Sequence, residues 1–181
     1  MDYRQYYNIE SYLLDTVQPR FAQEGQLSAD DFFCIVIWKA NRSKSKIAKI
    51  LLGKHKNLDI AIQSLTTGLS QQPNAKEKLR YLIKDWDFHL PMASAILTIL
   101  YPNEFTVYDT RVCATLRKFH KLKNRKYSEN LWHEYQKYKQ EVEKSTPNEL
   151  NLRDKDRYLW GKSFYEQLRK DIENEFNVNN G

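Results

Sequence analysis

Asp109 is the residue in this chain best placed to do chemistry. It lies in Tyr101-Pro102-Asn103-Glu104-Phe105-Thr106-Val107-Tyr108-Asp109-Thr110-Arg111-Val112, just ahead of the apolar positions Val112, Cys113 and Leu116. That is where a helix N-cap belongs. A helix N-terminus keeps a carboxylate ionised, because the dipole and the free N–H groups stabilise the anion. Such a group has two readings. It is a plain cap, or it is a fixed negative charge that stabilises a developing cation and orients a water. The other reactive residue types offer less. His55, His89, His120 and His133 show no metal-ligand spacing, so no metal is expected. Cys34 and Cys113 lie in apolar helical patterns, form no C-x-x-C, and read as small hydrophobes.

Several elements must position Asp109. Before it, Phe88-His89-Leu90-Pro91 is a short turn, and Met92 to Leu100 is apolar on nearly every face, which predicts a buried helix. Pro91 suits its first turn and Pro102 stops it. Leu79, Leu82, Ile83 and Trp86 give the preceding helix one apolar face, so two helices joined by this short turn should form a hairpin.

Upstream, the spacing of Ile9, Tyr12, Leu13 and Val17 predicts a helix over 6–17 ended by Pro19. Ser28 caps a segment, Phe32 to Trp38, whose composition suits a strand but whose cap suits a buried helix; helix is the reading taken. Asn57 caps a further helix, with Gly53 stopping the one before it. Downstream, Ser128 caps a helix with Leu131, Tyr135, Tyr138 and Val142 inward. The stretch from Leu152 to Ile172 reads as one long helix or two meeting near Gly161, and the tail 177–181 as frayed. No βαβ alternation, phosphate-binding glycine loop or internal repeat is visible. The expectation is a single all-α domain over 1–181, with about nine or ten helices.

The bulk numbers narrow the function classes. Five Gly and five Pro in 181 residues argue against a turn-rich all-β fold and against disorder. A net charge of +6 favours an anionic partner such as nucleic acid. No apolar run reaches the length of a membrane span, so no membrane partner is expected. The polar N-terminus, Met1 to Gln5, carries no signal-peptide pattern, and the expected setting is the reducing cytoplasm.

Turn, buried helix, Pro-containing loop and single Asp, in that order, resemble the helix-hairpin-helix DNA glycosylase superfamily, in its branch of bacterial proteins similar to 8-oxoguanine glycosylases. The residues that carry the resemblance are Leu90-Pro91-Met92-Ala93-Ser94-Ala95 and Val107-Tyr108-Asp109-Thr110-Arg111-Val112. Trp38-Lys39-Ala40-Asn41-Arg42 and the stretch from Arg153 through Trp160 to Lys162 also resemble segments of that branch. The close part covers about residues 75–120.

The resemblance implies an all-α, helix-hairpin-helix DNA glycosylase-like fold, with Asp109 as the catalytic residue for release of a damaged or modified base. It implies double-stranded DNA with a flipped base as the partner, and no cofactor. The hairpin turn, His89, Leu90, Pro91, Met92 and Ala93, would hold a DNA phosphate through helix-start amides. Lys39, Arg42, Lys44 and Lys46, with Arg111, Arg117, Lys118 and Lys121, are the other candidate phosphate contacts; solvated helix ends are the competing reading. Trp38, Tyr108 and Trp160 are candidate walls of a base pocket, with ordinary core packing as the competing role. Two departures stand out. The turn lacks the family's glycines, and Leu90-Pro91-Met92 stands where bifunctional members carry a Schiff-base lysine. Water-dependent, monofunctional cleavage is therefore expected, and the alternative is a catalytically inactive nucleic-acid-binding or regulatory protein on the same fold.

Overall fold

A computed structural model describes residues 2–174, and these are all-helical, with no strand among them. The order is α1 (Ile9–Tyr12), α2 (Gln18–Glu24), α3 (Ala29–Ala40), α4 (Lys44–Leu52), α5 (Leu58–Ser70), α6 (Ala75–Arg80), α7 (Leu90–Leu100), α8 (Thr110–Leu116), α9 (Glu129–Lys144) and α10 (Leu152–Asn174). The frayed tail expected at 177–181 lies outside the described residues.

Local chemistry sets most of the helix starts. The Ser28, Asn57, Asn74 and Ser128 side chains accept from N–H groups of the first turns of α3, α5, α6 and α9, each satisfying a donor that has no intrahelical partner. The ambiguous apolar segment is helix α3, as its cap indicated. Pro19 does not end the first helix. A π-helical segment, Leu13–Val17, precedes it and the chain continues as α2 to Glu24. The wider turn relieves the clash between the proline ring and the carbonyl four residues back. Gly25 then takes a left-handed φ of 68° and closes the helix.

α7 is the central rod. Every residue from Met92 to Leu100 is buried, and α2, α3 and α6 pack around it. Between α6 and α7 lies a π-helical extension, Tyr81–Asp85, and then a tight reversal. There Asp87 adopts the left-handed φ of 55° that a glycine usually takes, and the Phe88 N–H returns to the Leu82 carbonyl at 3.0 Å. This resembles the Schellman arrangement but spans one residue more, because it follows a π-helical turn, and a short polar side chain tolerates the left-handed region. It explains how the hairpin turns without the glycines. α10 is one continuous helix through Gly161. It packs against α8 and α9, and from Trp160 to Asn174 none of its residues is buried. Among the described residues no helix is long and apolar enough to cross a membrane.

Candidate active site

Asp109 is the N-cap of α8. Its Oδ1 accepts from the Arg111 N–H at 2.8 Å. Its Oδ2 accepts from Lys39 Nζ at 2.5 Å. Both side chains are largely enclosed, with 20% of Asp109 and 12% of Lys39 exposed. Burial by itself raises the Asp109 pKa. The Lys39 charge, the Lys39 hydrogen bond and the Arg111 N–H together outweigh it, so the carboxyl is held below its ordinary range. Asp109 is thus an ionised carboxylate fixed from two sides.

Two cavities meet at this pair, and both Asp109 and Lys39 line each of them. The first, of about 310 Å³, is walled by Trp38 and Trp160 and carries Glu10, Arg153, Asp156 and Arg157. The second, of about 370 Å³, lies against the hairpin turn. Its floor includes Ile47, Ile50, Phe88 and Met92, and its rim carries Lys46, His89 and Lys123.

The expected base-pocket residues divide between the two. Trp38 and Trp160 share the first cavity, each with an arginine against it. The Arg153 Cζ is 5.1 Å from a Trp38 ring centroid and the Arg111 Cζ is 5.6 Å from that of Trp160. Tyr108 is separate. It is wholly buried, its ring packs on Tyr138, its hydroxyl donates to the Phe119 carbonyl at 2.7 Å, and it borders only the second cavity of the two. It is core packing under the site rather than a third wall with the tryptophans.

The hairpin turn also departs from expectation. Leu90 and Ala93 are 0% exposed and Met92 7%. The Met92 and Ala93 N–H groups both donate to the His89 carbonyl at 3.0 Å. These amides therefore close the first helical turn instead of pointing outward, and only His89 and Pro91 remain open to a phosphate. Lys39 is likewise no surface contact, since it is committed to Asp109. Arg42, Lys44, Lys46, Arg111, Arg117, Lys118 and Lys121 are exposed, with Lys118 paired to Glu141 at 3.0 Å.

One cluster was not visible in the sequence. Arg153 reaches Asp156 Oδ2 and Glu10 Oε1, and Arg157 bonds Glu10 at 3.1 Å. Asp156 is 4% exposed. Burial is the largest influence on it and pushes its pKa up to about 6; Arg153 and Lys39 oppose this, and Asp109 and Glu10 add to it. The available signal was the spacing of Arg153, Asp156, Arg157 and Trp160, which puts charged groups on one helical face beside the apolar Leu159. Among the described residues no group of His, Cys, Asp or Glu could hold a metal ion. No protein-family model, curated protein or solved structure matches the chain.

Proposed function

We propose that this protein is a monofunctional DNA N-glycosylase on a helix-hairpin-helix glycosylase-like fold, acting on a flipped damaged or modified base in cytoplasmic double-stranded DNA. The observation that carries this reading is the position of Asp109. An ionised carboxylate, capped onto a helix and gripped by a lysine, lies in the wall common to an indole-lined cavity and a basic, hairpin-facing one.

The chemistry follows from that arrangement. Breaking a C1′–N bond builds positive charge on the sugar, and a fixed carboxylate beside it stabilises that charge. The same carboxylate accepts a proton from the attacking water. Trp38 and Trp160 offer faces on which an extruded base stacks. His89, Lys46 and Lys123 line the second cavity and would meet backbone phosphate there. No cofactor enters this scheme.

One observation favours a second reading. The hairpin lacks a lysine, but Lys39 from α3 places an amine 2.5 Å from Asp109. Once relieved of a proton, that amine is able to attack C1′ as the C1′–N bond breaks and its electron pair leaves with the base; opening of the sugar ring at the C1′–O bond then gives the imine. The experiment is base release from duplexes carrying a panel of lesions and modified cytosines, by wild type and Asp109→Asn, with and without borohydride. Hydrolytic cleavage predicts free base, an abasic strand and no trapped adduct. A borohydride-trapped complex moves the mechanism to Lys39. Salt-dependent DNA binding by a wild type that releases nothing leaves the non-catalytic binder.

A further inference from the structure

The first cavity holds two carboxyl groups besides Asp109 that hydrolysis by Asp109 alone does not use: Glu10, which is paired with Arg153 and Arg157, and Asp156. Asp156 and Asp109 line the same space, and their surroundings differ in kind. Asp109 has both oxygens bonded to donors, and each donor favours the anion. Asp156 is nearly closed from solvent, and of its two oxygens Oδ2 takes the bond from Arg153.

The groups facing Asp156 come from several elements. Arg153 on α10 and Lys39 on α3 favour its anion; Asp109 and Glu10, the latter on α1, oppose it. Tyr135 and Tyr138 on α9 feel its charge. The cluster is also incomplete as a purely internal network, because the buried Arg153 Nε–H has no acceptor among the described residues. An internal salt bridge that served folding alone would be expected to satisfy that donor.

We propose that Asp156 is a second catalytic carboxyl, the general acid that protonates the departing base while Asp109 serves the water. This rests on the glycosylase reading above. In the step, the C1′–N bond breaks and its electron pair goes to the base nitrogen. The Asp156 carboxyl O–H gives its proton to a ring nitrogen or carbonyl oxygen of the base, which leaves neutral. Water forms the new C1′–O bond and gives a proton to Asp109. That proton returns through solvent to Asp156 and closes the cycle. Of the three carboxyls lining this cavity, Asp109 and Glu10 are held ionised by their cationic partners and Asp156 is pushed toward protonation; one ionised and one protonated carboxyl is the division of roles that acid–base cleavage of a glycosidic bond needs.

The pH dependence follows. Asp156 must be protonated, so release of a neutral base falls as pH rises through about 6. Asp109 must be ionised, so release also falls at the acid end, below the ordinary carboxylate range.

The test uses matched duplexes whose leaving bases differ in their need for a proton. One pair carries hypoxanthine or N7-methylguanine; the second is cationic and leaves neutral without an acid. The other pair carries uracil or 5-fluorouracil, the latter a better leaving group. Asp156→Asn is expected to slow the base that needs the proton by about 10²-fold, and its partner far less, with loss of the limb near pH 6. Asp156→Glu should restore part of that limb. The ratio within a pair is taken on one preparation, so a partly folded variant does not distort it. Equal slowing of both members, or no slowing of either, overturns the acid role while leaving the glycosylase reading in place. A wild type that releases neither these four bases nor any base of the lesion panel overturns both.

Discussion

Asp31 and Asp109 are two acids at the starts of helices, each paired with a cation, and their surroundings differ. Asp31 is 1% exposed; it accepts from the Tyr12 hydroxyl and from Arg20, both at 2.7 Å, and it lines neither of the cavities described above. Its bonds tie α1, α2 and α3 together. Asp109 has a comparable set of partners, one backbone N–H and one lysine, yet it opens onto two cavities. Pairing with a cation therefore does not separate the two carboxylates. Adjacency to unfilled volume does, and the proposed chemistry is assigned on that difference.

That contrast can be broken in steps. Asp31→Ala should have the largest effect on stability. It leaves the buried Tyr12 hydroxyl without its acceptor and frees Arg20, so a loss of about 2–4 kcal/mol is expected in urea or thermal unfolding. Per folded molecule, base release should not change. A variant that unfolds normally but loses activity would show that Asp31 belongs to the site after all.

The next effect is a pH slope. The folded-state pKa of Asp156, about 6, lies above the ordinary carboxylate value, so the native state holds this proton more tightly than the unfolded chain. Its contribution to stability is present below about pH 4 and is lost as pH rises through about 6, on the order of 2 kcal/mol. Thermal unfolding of wild type should weaken over that window relative to Asp156→Asn. Parallel curves for the two proteins would mean that Asp156 is ionised throughout. Asp109 has the opposite sign. Its pKa is lowered, so its contribution is present above the ordinary range and lost as pH falls.

The smallest effect is a displacement of one limb. Lys39→Gln removes the charge that opposes burial at Asp109, so the acid limb of the rate profile should move to higher pH. An unmoved limb would place its origin in some group other than Asp109.

Much of this was legible in the sequence because helix caps are local. Ser28, Asn57, Ser128 and Asp109 are each followed within a few residues by the groups they bond, so spacing alone reveals them. The buried run over 92–100 was equally plain, since a helix apolar on every face has nowhere to go but the core. Long-range pairing was not legible. Lys39 and Asp109 are 70 positions apart, and Arg153 and Glu10 are 143 apart; only the packing of α10 against α8 and the N-terminal helices brings the second pair to the cavity. The Pro19 error has another cause. The rule that proline ends a helix assumes a regular ladder, and the π-helical turn at Leu13–Val17 supplies the room that rule denies. At the hairpin the lack of glycine is plain from Phe88-His89-Leu90-Pro91, whereas the bonding of the Met92 and Ala93 amides to the His89 carbonyl depends on where the helix starts, which residue types alone do not fix.

In the proposed reaction the cavity-facing Asp109, rather than the internal Asp31, does chemistry on DNA. Base release from the lesion panel by wild type, Asp109→Asn and Asp31→Asn, each normalised to folded protein, tests it most directly. Wild type should leave an abasic strand, Asp109→Asn should lose release by at least about 10²-fold with duplex binding retained, and Asp31→Asn should keep it. Equal losses in the two variants, or full release by Asp109→Asn, would contradict it.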